Sequence, residues 1–112
     1  MFKLTVITCM ATLGLVVNAA ADAKSDALRD KVIACAKINI AALDDGVSPA
    51  SDIAAAAHDN CRKEMRASYL YAVSGLDADT RRGFDNAYNP ERIFTMFVLR
   101  DRAHKREALT SQ

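Results

Sequence analysis

The fold follows from residues 35–61, which read CAKINIAALDDGVSPASDIAAAAHDNC. The Asp-Asp-Gly run at 44–46 ends one helix, and Ser-Pro at 48–49 begins the next, with serine as N-cap and proline in the first turn. Cys35 precedes this turn by about a dozen residues and Cys61 follows it by about fourteen, so at 1.5 Å per residue both reach similar heights of an antiparallel pair. The spacing predicts a helical hairpin stapled by a disulfide.

Apolar residues recur at steps of three and four on both sides of the turn, as in amphipathic helices. The predicted inner stripe of the first helix is Leu28, Val32, Cys35, Asn39 and Ala42. The predicted inner stripe of the second is Ile53, Ala54, Ala57, Cys61, Met65 and Ser68.

The second half of the chain carries further helix boundaries and no strand pattern. Gly75 suits the left-handed C-terminal position, Asp77 caps a third helix, and Asn89 caps a fourth that begins at Pro90. We therefore predict an all-α, small four-helix domain built on the disulfide-stapled antiparallel hairpin. Its helices are expected at about 25–44, 49–74, 78–88 and 90–108.

Residues 1–23 resemble a secretory signal peptide: a positive charge at Lys3, an apolar stretch over 4–17 and a small-residue run at 19–23. We expect cleavage before Lys24, with the sites before Asp22 and after Ala19 as alternatives and an uncleaved anchor as the competing interpretation. Cleavage leaves residues 24–112 as a single domain. The sequence thus predicts a periplasmic or secreted protein that makes no stable membrane insertion after cleavage.

Export leaves Cys35 and Cys61 as an even pair in an oxidising compartment, which favours a structural disulfide. A metal or redox pair is the alternative. The chain has no Cys-x-x-Cys motif, and His58 with Cys61 supplies at most two ligands from one helical face. We therefore expect no metal site, and for a domain this small the cross-link matters to stability.

The fourth helix contains the run 93–99, of which six residues in seven are apolar. A helix that is apolar all round must be covered all round, or part of it contacts another molecule. One interpretation packs the run into the hairpin groove under the third helix, and the other leaves part of it for a partner. The predicted partner-binding residues are Phe94, Met96, Phe97, Leu99, Arg100 and Arg102.

The end of the fourth helix is basic, although the chain has 15 Lys and Arg against 14 Asp and Glu. Positive charge at a helix C-terminus is stabilised by the helix dipole. Docking to an anionic surface is a weaker alternative, and the near-zero net charge argues against nucleic acid as a partner.

Catalytic and cofactor patterns are scarce. The two histidines, His58 and His104, lie beside no nucleophile motif, and the paired aspartates at 44–45 and 77/79 lie where aspartate serves as a helix cap. Haem of the c type is excluded because no Cys-x-x-Cys-His occurs. A b-type haem would need Met65 with His104, or His58 with Met96, and methionine is more often a core filler. We expect a non-enzymatic protein without a cofactor.

In size, export signal, helical pattern and single disulfide, the chain resembles the class that includes periplasmic acid-stress chaperones and small immunity proteins against secreted toxins. The chaperones space their cysteines much more widely than 35 and 61, so the chain departs from them there, and no residue is carried over. The sequence favours binding to another protein, as an inhibitor, immunity protein or adaptor. The alternatives are an acid-stress chaperone that exposes 93–99, and a small-ligand or haem carrier.

Overall fold

The computed structural model describes the backbone of residues 2–111 and the side chains of residues 23–111. The chain forms five helices and, within these residues, no strand: α1 (Phe2–Leu43), α2 (Ala50–Asn60), α3 (Arg62–Val73), α4 (Ala78–Ala87) and α5 (Pro90–Thr110). The all-α prediction is confirmed. The predicted signal peptide falls almost entirely outside the described side chains. In the part of the chain that the structure describes, no helix has the length and apolar character needed to cross a membrane.

The helix expected over 49–74 is present as α2 and α3, which are separated by one residue. Cys61 has φ −108° and ψ 18°, outside the helical region, and its N–H donates to both Ala57 O and His58 O, at 3.1 and 3.0 Å. The Cys61 carbonyl accepts from Met65 N at 3.0 Å, so α3 continues directly. The periodicity predicted the helix and gave no sign of this interruption.

The predicted disulfide is present. Cys35 on α1 is bonded to Cys61 at the α2–α3 junction, and their Cα atoms lie 6.0 Å apart. The bond therefore ties α1 covalently to the boundary of the two following helices.

The core lies between α1, α2 and α5. Phe94 and Val98 of α5 are fully buried, and so are Ala54 and Ala57 of α2. Alanine has no side chain beyond Cβ, which lets the large residues of α5 approach the α2 backbone. As a result α5 packs far more extensively on α2 than on α1.

The predicted inner stripe of the second helix is confirmed, since all its members are buried or half-buried. The stripe predicted for the first helix is partly wrong. Among the described side chains of α1, Val32, Ala36 and Ile40 are buried, whereas Ala42 is exposed. The core therefore lies on an i, i+4, i+8 row slightly rotated from the predicted one.

Two of the three predicted helix caps are confirmed. Asp77 accepts from Thr80 N at 2.7 Å, and Asn89 accepts from Arg92 N at 3.0 Å ahead of Pro90. Ser48 does not cap α2. Its hydroxyl and backbone N–H both donate to the Asp45 carboxylate, at 2.6 and 2.7 Å, and this carboxylate organises the α1–α2 loop instead.

The expectation that the third helix covers the fourth is wrong. None of the described residues of α4 is buried. The helix is attached at its edge, where Phe84 contacts Tyr69 and Tyr88 with ring centroids 6.0 and 5.7 Å apart, and where the Tyr69 hydroxyl donates to Asp85. One side of α5 is consequently left open.

Candidate partner-binding groove

A groove runs between α1 and α5 because both helices pack on α2 and barely on each other. Its centre is formed by Ile33 of α1 and Phe97 of α5, which line two adjoining cavities of about 330 Å³ each. α1 and α5 run in the same direction along the groove. One end of the groove therefore lies near Arg29 and Ile93, and the other lies near Ile40 and His104.

One end of the groove is aromatic. Tyr69, Phe84 and Tyr88 lie together there, with the Tyr69 and Tyr88 ring centroids 5.2 Å apart. Burial, with a smaller contribution from nearby Tyr69, raises the pKa of Tyr88 above its usual value, so its phenol stays neutral through the physiological range. This end offers a mainly aromatic surface to an apolar ligand, with Arg29 at its edge.

The opposite end is basic. Lys37 and Arg100 stand on facing walls, with His104 one turn beyond Arg100. The one acidic residue at this end, Asp101, is paired with Lys105 at 3.1 Å. The groove thus combines an apolar floor with an excess of positive charge at one end.

The residues predicted to bind a partner do not form one surface. Phe94 is fully buried against α2, so its assignment as a contact residue is corrected: it belongs to the core. Phe97 is half-buried at the centre of the groove and Arg100 lines its basic end. Met96 and Leu99 are each 52% exposed on another side of α5 and line neither cavity of the groove.

Arg102 is also corrected in its role. Its guanidinium is 22% exposed and bonded to Asp44, whose side chain is 1% exposed. An arginine whose donors are occupied in this way joins two parts of the fold. It is not a free charge for an external surface.

Sequence reasoning missed the α1 wall of the groove. Ile33, Lys37 and Ile40 recur at steps of four and three, which is a second stripe beside the core stripe of α1. That spacing was readable in the sequence. The pairing of α1 with α5 across an open gap was not, because it depends on how both helices dock on α2.

Of the residues considered for haem, His58 and Met65 line one surface cavity, whereas neither predicted pair, Met65 with His104 or His58 with Met96, shares a cavity found among the described residues. His58 makes an edge-on contact with Phe94, at 5.4 Å between ring centroids, while Met65 is buried in the core. His104 lies at the basic end of the groove and Met96 on the exposed side of α5.

No family model, curated protein or solved structure matches the chain.

Proposed function

We propose that this protein acts without catalysis, by binding another protein in the groove between α1 and α5. The observation that carries the proposal is a pair of adjoining cavities that share the apolar residues Ile33 and Phe97, with the exposed side chains of Lys37 and Arg100 at one end. Grooves of this kind accept the apolar face of an amphipathic helix, with side chains at i, i+3, i+4 and i+7.

The charge at the basic end defines the partner further. Lys37 and Arg100 are exposed and take part in none of the ion pairs found among the described residues. Complementary charge steers association and fixes orientation. The proposed partner is an amphipathic helix with acidic residues at the end that meets Lys37 and Arg100.

The setting of this activity is part of the same proposal. A disulfide is compatible with an oxidising, exported compartment, and we propose a periplasmic or secreted protein with residues 1–23 as a cleaved signal peptide. From the 35–61 spacing we also propose that the two helices joined by the disulfide run antiparallel and support the groove.

A photo-cross-linking amino acid at position 104 tests the groove directly, because His104 lines its basic end and is exposed, and the change leaves Lys37 and Arg100 in place. Ile38 is the matched control position, because it is 71% exposed on α1 and lines neither cavity of the groove. We expect position 104 to capture one stoichiometric partner from the exported compartment, through an acidic amphipathic segment, and position 38 to capture none. Capture from position 38 alone, or from neither position, contradicts the proposal.

Two substitutions separate apolar from charged recognition. Phe97→Asp puts a charge on the groove floor, and Arg100→Glu reverses the charge at its rim. With the captured partner's segment as a labelled peptide, we expect both variants to weaken binding by about tenfold or more, and Arg100→Glu, which changes the charge by two units, to alter the salt dependence of binding more than Phe97→Asp does. Leu99→Asp is the control, and its binding should equal that of the unmodified protein.

An acid-stress chaperone is the second candidate, and the Asp44–Arg102 pair favours it. Protonation of Asp44 removes the ion pair between the α1–α2 loop and α5, and a looser α5 would widen the groove. A dye that reports exposed apolar surface should then bind more strongly at acid pH. Equal dye binding at neutral and acid pH would contradict the chaperone function.

A small-ligand carrier is tested separately by native mass spectrometry. A small molecule that co-purifies with the protein would support this alternative.

A further inference from the structure

The Cys35–Cys61 disulfide has a carboxylate beside it. Both sulfur atoms and a carboxylate oxygen of Glu64 lie within 4.8 Å of one another. Glu64 is three residues after Cys61, so it lies on the same side of the chain one helical turn later. Its Oε2 atom is inaccessible to solvent and has no hydrogen-bond partner among the described residues. A buried carboxylate oxygen without a donor is costly, and a bound cation is one partner that removes this cost.

An amide group faces the same sulfur atoms. Asn39 donates through Nδ2 to the Cys35 carbonyl at 2.9 Å and lies 3.4 and 3.5 Å from Cys35 Sγ and Cys61 Sγ. Asn60 fixes the orientation of this amide by donating to Asn39 Oδ1 at 2.9 Å. Hydrogen bonds of this type stabilise metal-bound thiolates and orient them.

We propose that, when the disulfide is reduced, Cys35, Cys61 and Glu64 bind one Zn²⁺ ion. Two thiolates, one carboxylate and a water molecule complete the four-coordinate shell that zinc prefers. Tetrahedral zinc with bonds of about 2.3 Å holds its sulfur ligands about 3.8 Å apart, so the freed cysteines need only rotate their side chains. The sequence drew attention to His58 as a companion of Cys61, but His58 contacts Phe94 instead.

The reductant in the proposed reaction is a dithiol. The dithiol supplies two electrons and two protons, the Cys35–Cys61 bond breaks to two thiols, and the dithiol becomes a cyclic disulfide. Zn²⁺ then displaces both thiol protons to water as the two zinc–sulfur bonds form. The disulfide of the oxidised chain and the zinc bridge of the reduced chain each join α1 to the α2–α3 junction. The same two cysteines therefore cross-link these helices in both redox states.

The test uses the full chain with Cys9→Ser, so that Cys35 and Cys61 are the only thiols. Samples are either oxidised or reduced with a phosphine, which takes up oxygen from water and leaves no competing thiol. Zinc binding is measured by competition with a chromophoric chelator, and Co²⁺ replaces zinc as a probe for thiolate-to-metal absorption. We expect one zinc per reduced chain, and none per oxidised chain.

Two variants test the role of Glu64. Glu64→Gln keeps the size of the side chain and removes its charge, and we expect it to lower zinc affinity by about tenfold or more. Glu91→Gln, on the exposed start of α5, is the control and should leave the affinity unchanged. Absence of zinc binding by the reduced chain, or equal affinities for Glu64→Gln and the unmodified chain, overturns the proposal.

The proposal can also be tested when reduction unfolds the chain. Helix content is followed by circular dichroism during the zinc titration. If reduction lowers the helical signal, zinc should restore it in the unmodified chain and fail to do so at the same concentration in Glu64→Gln. Zinc that leaves an unfolded reduced chain unfolded also overturns the proposal.

Discussion

Arg102 of α5 binds the Asp44 carboxylate, at the end of α1, through two of its nitrogen atoms. Nε lies 3.2 and 3.1 Å from the two carboxylate oxygens, and Nη2 lies 2.7 Å from Oδ1. Nη2 also donates to the Ser48 carbonyl at 2.7 Å. Bidentate pairs of this kind are the strong ones, and this one joins the α1–α2 loop to α5 across 58 residues of sequence.

Arg102→Ala should lower the free energy of unfolding by about 2 kcal/mol, because it leaves the Asp44 carboxylate buried without its main donor. Arg102→Lys should recover part of this loss, since an ammonium group keeps the charge but cannot reproduce the two-nitrogen contact. Urea unfolding measures both. Arg82→Ala removes an exposed pair 3.9 Å from Asp79 and should cost under about 0.5 kcal/mol. Equal stabilities of Arg102→Ala and Arg82→Ala would contradict the role of the Asp44 pair.

Acid should weaken the fold through Asp44. The hydrogen bond from Arg102, followed by that from Gly46 N, holds the pKa of Asp44 below its ordinary value of 3.8. The unfolded chain therefore takes up this proton at a higher pH than the folded chain. The stabilisation is complete above the ordinary value and is lost as pH falls below it towards the folded value.

Asp44→Asn should flatten the pH dependence of urea unfolding between about pH 2 and 5 without abolishing it. The remainder comes from Asp45, whose hydrogen bonds from Ser48 and Val47 lower its pKa to about 2, and from Asp77, whose pKa is lowered by Thr80. Arg102→Ala should flatten the curve similarly. A slope in Asp44→Asn as steep as in the unmodified chain would refute the assignment.

The disulfide should contribute about 3.5 kcal/mol, the chain-entropy value for a loop of 26 residues. Cys35→Ser and Cys61→Ser should each lose about this amount, with Cys61→Ser the larger loss because its side chain is fully buried. The double variant should be little worse than either, since all three remove the same bond. Additive losses in denaturant unfolding would show two independent contributions and contradict this view.

The two phenylalanines of α5 should respond differently to truncation. Phe94→Ala opens a cavity in the core and should cost about 3–5 kcal/mol. Phe97 is half-buried at the groove centre, so Phe97→Ala should cost less than half as much while still weakening partner binding. Thermal unfolding and peptide binding measure the two effects. Equal destabilisation by Phe94→Ala and Phe97→Ala would show that Phe97 contributes as much to the core as Phe94, and would contradict its assignment to the groove.

Gly83 in α4 offers a stabilising change. A Cβ at this position meets nothing within 4 Å in the described structure, and alanine is favoured over glycine in a helix interior by about 1 kcal/mol. Gly83→Ala should therefore stabilise α4 against local opening by about 0.5–1 kcal/mol, which is measured as slower exchange of the α4 amide hydrogens. Gly75→Ala is the contrasting change, because Gly75 has φ 80° and alanine is strained there. A stabilising Gly75→Ala would contradict the backbone argument.

The sequence predicted the features that arise locally. The Asp77 and Asn89 caps, the positive φ of Gly75 and the helices they bound follow from a few neighbouring residues. The disulfide was also predictable, because the predicted signal peptide contains Cys9 and the expected mature chain then has two cysteines with one possible pairing.

The features that depend on docking were not predictable. The run 93–99 is apolar all round, which left open whether it is buried on all sides or partly exposed to a partner, and the structure leaves Met96 and Leu99 each 52% exposed. Arg102 looked like one more basic residue at a helix end, and only its meeting with Asp44 in space gives it an internal role. Glu64 was not recognised from the sequence as a candidate metal ligand, because its proximity to the sulfur atom of Cys35 depends on how α1 docks on α3.

The loose attachment of α4 has a consequence for motion. Without a buried residue among those described, α4 is held by Phe84 against the tyrosines and by the Tyr69–Asp85 hydrogen bond. An element with so little buried surface opens locally at low free energy, while α2 and α5 stay protected until the whole domain unfolds. Amide hydrogens of α4 should therefore exchange with solvent long before those of α2. The aromatic end of the groove includes Phe84 of α4. We therefore expect the width of the groove at this end to fluctuate independently of the core.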